Sequence, residues 1–187
     1  MNADDATQRF YSLVWPERAA VLRVAQLLTG DSAAADDLAQ ETLLKAFKKL
    51  DTFRHGSNAR GWLLTILRHT HIDRMRAAAS EPGVSLSHIH EEPAAESASD
   101  AEEFSGANPE TILAAFSDQQ IIGALRKLPQ EIRWTLLLVD VEGLSQKESA
   151  EVLQVPVGTI KSRVHRGHFM LRDGLLPLAR DRRLVHD

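Results

Sequence analysis

Cysteine does not occur anywhere in the 187 residues. Disulfides, thiolate metal sites and a cysteine nucleophile are therefore excluded, and any sensing of redox state falls to a partner. Long apolar runs are lacking too, since none reaches the roughly 18 residues that a membrane-crossing helix needs. The opening stretch MNADDATQRF is acidic and polar instead of basic and then apolar, so membrane insertion is not expected and the cytoplasm is the expected compartment. An HExxH pair and a Gly-rich phosphate loop are also missing. Histidine is present eight times, and six of these fall in close pairs at His69 and His71, His88 and His90, and His165 and His168. The last pair has a helical spacing that can share a metal, but no carboxylate cluster accompanies it, so no metal and no cofactor are expected.

Positive charge is in overall deficit, with 22 Lys and Arg against 26 Asp and Glu and a formal charge of -4. The deficit is local. Between Ala77 and Leu125 lie nine acidic residues and no Lys or Arg, which leaves 22 basic against 17 acidic residues elsewhere. Two mildly basic bodies thus flank an acidic stretch, and for nucleic acid the local patch matters more than the total. Residues 79–108 are rich in Ser, Ala, Glu and Pro, where burial could hardly offset the entropy of ordering. A flexible linker is expected there, and a coil of that length spans on the order of 30 Å.

Both bodies read as helical. In the first, Pro16 suits a first helical position, Val21, Leu22, Ala25 and Leu28 form a stripe, and Gly30 closes the helix. Asp31 or Ser32 can cap the next helix, where Leu43, Phe47 and Leu50 recur at three or four residues. After a loop from Phe53 to Ser57, Asn58 caps a third helix with Trp62, Leu63, Ile66, Leu67 and Thr70 facing inward and Arg60, Arg68, Arg74 and Arg76 outside. In the second body a helix spans roughly Thr111 to Leu128, and Pro129 opens EIRWTLLLVDVEG, ended by Gly143. Ser145 and Glu148 form a capping box for a short helix through Leu153. The pattern breaks from Gln154 to Pro156, and a further helix begins near Val157. The expected fold is all-α, with two small helical domains, 1–78 and 109–187, joined by a flexible acidic linker over 79–108.

Two helices joined by so short a turn, the second of them basic, read as a helix-turn-helix. On the last helix Ile160, Val164, Gly167 and Leu171 fall within about 60° of one another at 100° per residue, which makes them the buried stripe. Lys161, Ser162, His165, Arg166, Phe169 and Arg172 then project outward, a face suited to base edges and phosphates in a major groove.

The segment LPQEIRWTLLLVDVEGLSQKESAEVLQVPVGTIKSRVHRGHFMLR resembles region 4 of the extracytoplasmic-function sigma factors, whose usual run holds an LP, a D-x-E-G-L-S, an E-x-A and a G-T-[VI]-K-S-R. The resemblance implies that this module reads the upstream (−35) promoter element, through Lys161, Ser162, Arg163, His165, Arg166 and Arg172. DSAAADDLAQETLLKAFKKLDTF resembles the same family's regions 2.1 and 2.2, which implies docking of Asp36, Asp37, Gln40 and Glu41 on the clamp helices of the largest subunit of core RNA polymerase. NARGWLLTILRHTHIDRMR resembles regions 2.3 and 2.4, which implies opening of the downstream (−10) element. The residue types suit strand opening, because Phe53, His55, Ser57 and Asn58 offer stacking and hydrogen-bonding groups to an extruded base, and Arg60, Arg68, Arg74 and Arg76 can hold phosphates. Trp62 reads by its phase as a core residue. His69 follows Arg68 where many relatives have Asn. An anti-sigma partner is implied by the resemblance as well.

The alternative is a helix-turn-helix regulator that acts without joining core polymerase. It accounts for the second body, leaves the first without a role, and would normally bring a dimerisation surface.

Overall fold

The computed structural model describes residues 3–54, 56–80 and 118–181. Every regular element among them is helical. The expected linker therefore lies, beyond Ser80, outside the described residues, as do the helical turns expected between Thr111 and Ser117 and the side chain of His55.

The first module holds α1 (Ala3–Leu13), α2 (Arg18–Thr29), α3 (Ser32–Lys48) and α4 (Ala59–Ser80). Pro16 sits in a 3-10 turn, Trp15–Glu17, that leads into α2. Gly30 ends α2 in the left-handed conformation, φ 69°, with its N–H donating to Gln26 O. The Asp31 carboxylate then accepts the Ala34 N–H at 2.8 Å and starts α3. Asn58 caps α4 in the same way, accepting from the Gly61 N–H at 3.1 Å. These three devices place α2, α3 and α4 around a core of Val21, Val24, Leu28, Leu38, Leu63, Leu64 and Leu67. Two side chains depart from the expected stripes. Leu22 is 39% exposed because the buried face of α2 runs through Ala20, Val21, Val24, Ala25 and Leu28. Phe47 is 42% exposed and meets Phe10 edge-on at 5.3 Å at the rim of the core.

The second module holds α5 (Asp118–Lys127), α6 (Gln130–Leu136), α7 (Gln146–Leu153) and α8 (Val157–Asp181). α6 runs on into a π-helical turn, Leu137–Val141, where Glu142 N–H reaches back to Leu137 O. The full capping box forms at α7: Ser145 Oγ accepts the Glu148 N–H, and the Glu148 carboxylate accepts the Ser145 N–H. Gln154 takes φ 57° at the end of α7, and Val155 N–H closes on Ala150 O at 3.1 Å, which sets the tight turn into α8. Gly167 lets α8 lie directly on α6, since a Cβ there would stand 2.8 Å from Ile132 Cγ2 and 2.9 Å from Leu136 Cδ1.

The two modules are packed together, which nothing in the composition of the flanking bodies suggested. α4 lies against α7 and α2 against α5, and their buried residues form one continuous cluster. The position of Gly61 on α4 faces Val152 and Leu144, and the His71 ring meets Trp134 edge-on at 6.0 Å.

Candidate nucleic-acid and polymerase interface

The capped α7 and its left-handed exit fix the angle at which α8 leaves the turn, and Ile160, Gly167 and Leu175 anchor one side of α8 in the core. The opposite side carries Lys161, Ser162, His165 and Arg166, all exposed and within one arc of about 140° at 100° per residue. Ser162 Oγ donates to Thr159 O at 3.0 Å, leaving its lone pairs outward. Phe169 continues the arc, 53% exposed, with the Arg172 guanidinium 5.1 Å from its ring centre. Arg163 stands apart from this arc. It is half-buried, and burial holds its guanidinium below its usual value against the pull of Glu131. His168, on the flank of α8, bonds Asp140 at 2.8 Å, and that bond holds the imidazole above its ordinary value despite partial burial.

The residues expected to meet the −10 element are arranged less openly. Phe53 is 4% exposed and packs on Trp62 at 5.2 Å between ring centres. The expectation that its ring stacks on an extruded base is thus not met in this conformation: the loop folds the ring inward, where it covers the half-buried Trp62 and buries more apolar area than the loop surface offers. Ser57 and Asn58 are exposed, with Ser57 Oγ donating to Arg54 O. Arg60, expected outside, donates to Glu17 Oε2 at 2.7 Å, and this bond first of all raises its guanidinium value. Arg68 is half-buried, and desolvation with the nearby Arg163 lowers its guanidinium value. Arg76 is exposed.

Asp36, Asp37 and Gln40 are exposed on α3, and Glu41 beside them is half-buried. Lys45, at 2.8 Å, and Arg74, at 2.6 Å, hold the Glu41 carboxyl below its usual range against the push of desolvation. Arg74 also donates to Asp37 O at 3.0 Å. Arg74 therefore ties α4 to the acidic face of α3 and is not a loose phosphate hook.

Sequence reasoning missed Glu142 and Arg23. The Glu142 side chain is fully buried and takes both arms of Arg23, at 3.1 and 2.9 Å, a bidentate pair spanning 119 residues of chain. No local pattern announces such a pair; only the placement of Glu142 just before Gly143, at the end of the helical run, marks it as able to reach outward.

Residues 13–81 match the family described as Sigma-70 region 2, and residues 118–167 match Sigma-70, region 4. Over 148 residues the chain is 36% identical to the ECF RNA polymerase sigma factor EcfG of Rhodopseudomonas palustris, covering 77% of this chain and 72% of that protein. The chain belongs to the ECF RNA polymerase sigma factor family. This sigma factor is also 31% identical over 161 residues to the ECF RNA polymerase sigma-E factor of Escherichia coli K12, covering 84% and 83% of the two chains. Its fold is similar to that of the sigma factor RpoE in complex with the anti-sigma factor NepR from Bartonella quintana, with TM-score 0.64, 29% identity and coverage of 92% and 98%. It is also similar in fold to CnrH in complex with the cytosolic domain of CnrY, with TM-score 0.62, 24% identity and coverage of 92% and 95%. Among the described residues no helix of this sigma factor is long and apolar enough to cross a membrane, and no group of three His, Asp or Glu could hold a metal ion.

Proposed function

We propose that this ECF sigma factor docks on core RNA polymerase through the α3 face of Asp36, Asp37, Gln40 and Glu41, and reads a promoter at two points. Lys161, Ser162, His165 and Arg166 enter the major groove at the upstream element, with Arg163 and Arg172 at the flank of that contact. Ser57, Asn58, Arg60, Arg68 and Arg76 hold the downstream element once its strands part, and Arg74 supports them by holding α4 to α3. Residues 1–78 act as the docking and melting module, 109–187 as the upstream reader, and 79–108 as the tether that lets both engage at once. The chain supplies binding energy and position, and the chemistry of RNA synthesis belongs to the polymerase. It works in the cytoplasm, and an anti-sigma factor covers the two modules until the chain is needed.

The observation that carries this reading is the joining, in one chain, of an exposed cationic arc on a recognition helix with a second helical module that presents an acidic docking face. A helix-turn-helix regulator acting alone leaves that second module without work. The two are separated by purification from native cells and by gel-shift: a sigma factor travels with core polymerase and binds duplex DNA weakly by itself, whereas a lone regulator binds duplex tightly and leaves polymerase behind. Within the reading, Arg166→Ala is expected to weaken upstream-element binding by about 1–3 kcal/mol, selectively at one base pair if Arg166 reads a base and evenly across sequences if it holds a phosphate. A start-site profile identical to wild type would remove Arg166 from the interface.

A further inference from the structure

The outward side of α8 resolves into two rows. At 100° per residue Lys161, His165, His168 and Arg172 fall within about 60° of one another, and Ser162, Arg166 and Phe169 form a second row beside them. Every place in the first row carries a cation or an imidazole. A recognition helix reads base edges with its N-terminal residues, which puts the stretch from Lys161 to Arg166 at the bases. His168 lies about 10 Å further along the axis than Lys161, where such a helix leaves the groove beside the phosphate backbone.

His168 differs from the rest of its row in being held by a carboxylate. The π turn Leu137–Val141 presents Asp140 to α8, and His168 Nε2–H donates to Asp140 Oδ2 at 2.8 Å, with the two side chains 55% and 39% exposed. That bond fixes the plane of the ring and its tautomer, so Nδ1 is the nitrogen that gains a proton. The charged groups that face the ring are Asp140 from the π turn and, about one turn away on α8 itself, His165 and Arg172. Among the described residues no carboxylate of α5 or α7, the other helices packed on α8, pairs with it.

We propose that His168, oriented by Asp140, is a phosphate contact at the edge of the upstream-reading face, so that binding of the upstream element takes up a proton at Nδ1 of its ring. The inference rests on the reading of α8 as the upstream reader given above. The neutral ring offers a phosphate only a lone pair at Nδ1, whereas the imidazolium offers an N–H and a charge. Asp140 already holds the imidazole above its ordinary value, and a phosphate adds a second anion beside it. The bound chain therefore keeps the proton to higher pH than the free chain does, and affinity falls as pH rises through that interval. A backbone contact of this kind carries no base preference, so the effect is the same for every upstream sequence.

Holoenzyme assembled from core polymerase and the full chain tests this, by fluorescence anisotropy on a labelled promoter duplex at pH 6, 7 and 8. The ratio of affinity at pH 6 to that at pH 8 is expected to be about three- to tenfold larger for wild type than for His168→Gln. His165 and the polymerase are common to both and cancel in that comparison. His168→Arg, charged throughout, is expected to show the flat profile of His168→Gln while binding more tightly than it at pH 8. Neutral methylphosphonates then replace the phosphates of the duplex one at a time. At one position, or two adjacent ones, the extra pH dependence of wild type is expected to vanish, and the same replacement costs the His168→Gln holoenzyme nothing. Equal ratios for wild type and His168→Gln overturn the proposal. So does an extra pH dependence that no methylphosphonate removes, which would leave His168 and Asp140 as a pair that only holds the helix. The upstream reading is judged by a separate arm: scrambling the upstream element must weaken wild-type binding at every pH, whatever His168 does.

Discussion

His71 is the residue whose environment most sharply constrains the behaviour of the protein in solution. Burial, with Arg133 and Arg74 nearby, pushes its imidazole down from 6.5 to about 4. The folded state therefore binds a proton at His71 less readily than the unfolded chain does. The stability it contributes is present above about 6.5 and is lost as pH falls toward 4. At pH 5 the loss amounts to about 2 kcal/mol. His168 runs the other way: its value is raised by Asp140, so its contribution is present in acid and fades as pH climbs past that raised value. Urea midpoints at pH 7.5, 6 and 5 are expected to fall with acid in wild type, and His71→Gln is expected to flatten that fall. A wild-type midpoint that rises steadily between pH 7.5 and 5 would mean that His71 is not buried as a neutral ring.

At the scale of the element, the decisive contact is α8 against α6, because it sets where the exposed cationic arc points. Gly167 permits the approach, and Gly174, on the same helix, faces open space. Gly167→Ala is expected to destabilise by about 1–3 kcal/mol through overpacking on Ile132 and Leu136. Gly174→Ala is expected to stabilise by about 0.5–1 kcal/mol through helix propensity alone. Chemical denaturation of the two variants checks both signs. Elements of this kind were largely legible beforehand. Asp31, Asn58 and the Ser145–Glu148 box announce helix starts through chemistry confined to four residues, and the 3.6-residue stripe of Ile160, Val164, Gly167 and Leu171 announces the buried side of α8. Leu22 and Phe53 depart from the local pattern because their placement depends on neighbours distant in sequence or on the width of the buried face: α2 buries a face narrower than its apolar stripe, and the Phe53 ring packs inward on Trp62.

At the scale of the whole molecule, what the residues could not announce was the seam. Acidic composition over residues 79–108 and basic flanks implied two bodies acting at a distance, yet α4 meets α7 and the buried residues run through both modules. The pairs that close the seam, Arg23 with Glu142 and Asn58 with Glu148, span 119 and 90 residues, beyond the reach of any periodicity. Similarity to the ECF family adds the order of the modules but not their contact.

The claim beneath all of this is that the chain directs core RNA polymerase to promoters. Run-off transcription with purified core polymerase, purified full chain and fragments of the genome tests it most directly. The expected result is a set of RNAs that begin at a restricted number of sites, are absent with core alone, and weaken when either the upstream or the downstream element of those sites is altered. A reaction in which adding the chain starts no RNA at any fragment would contradict it.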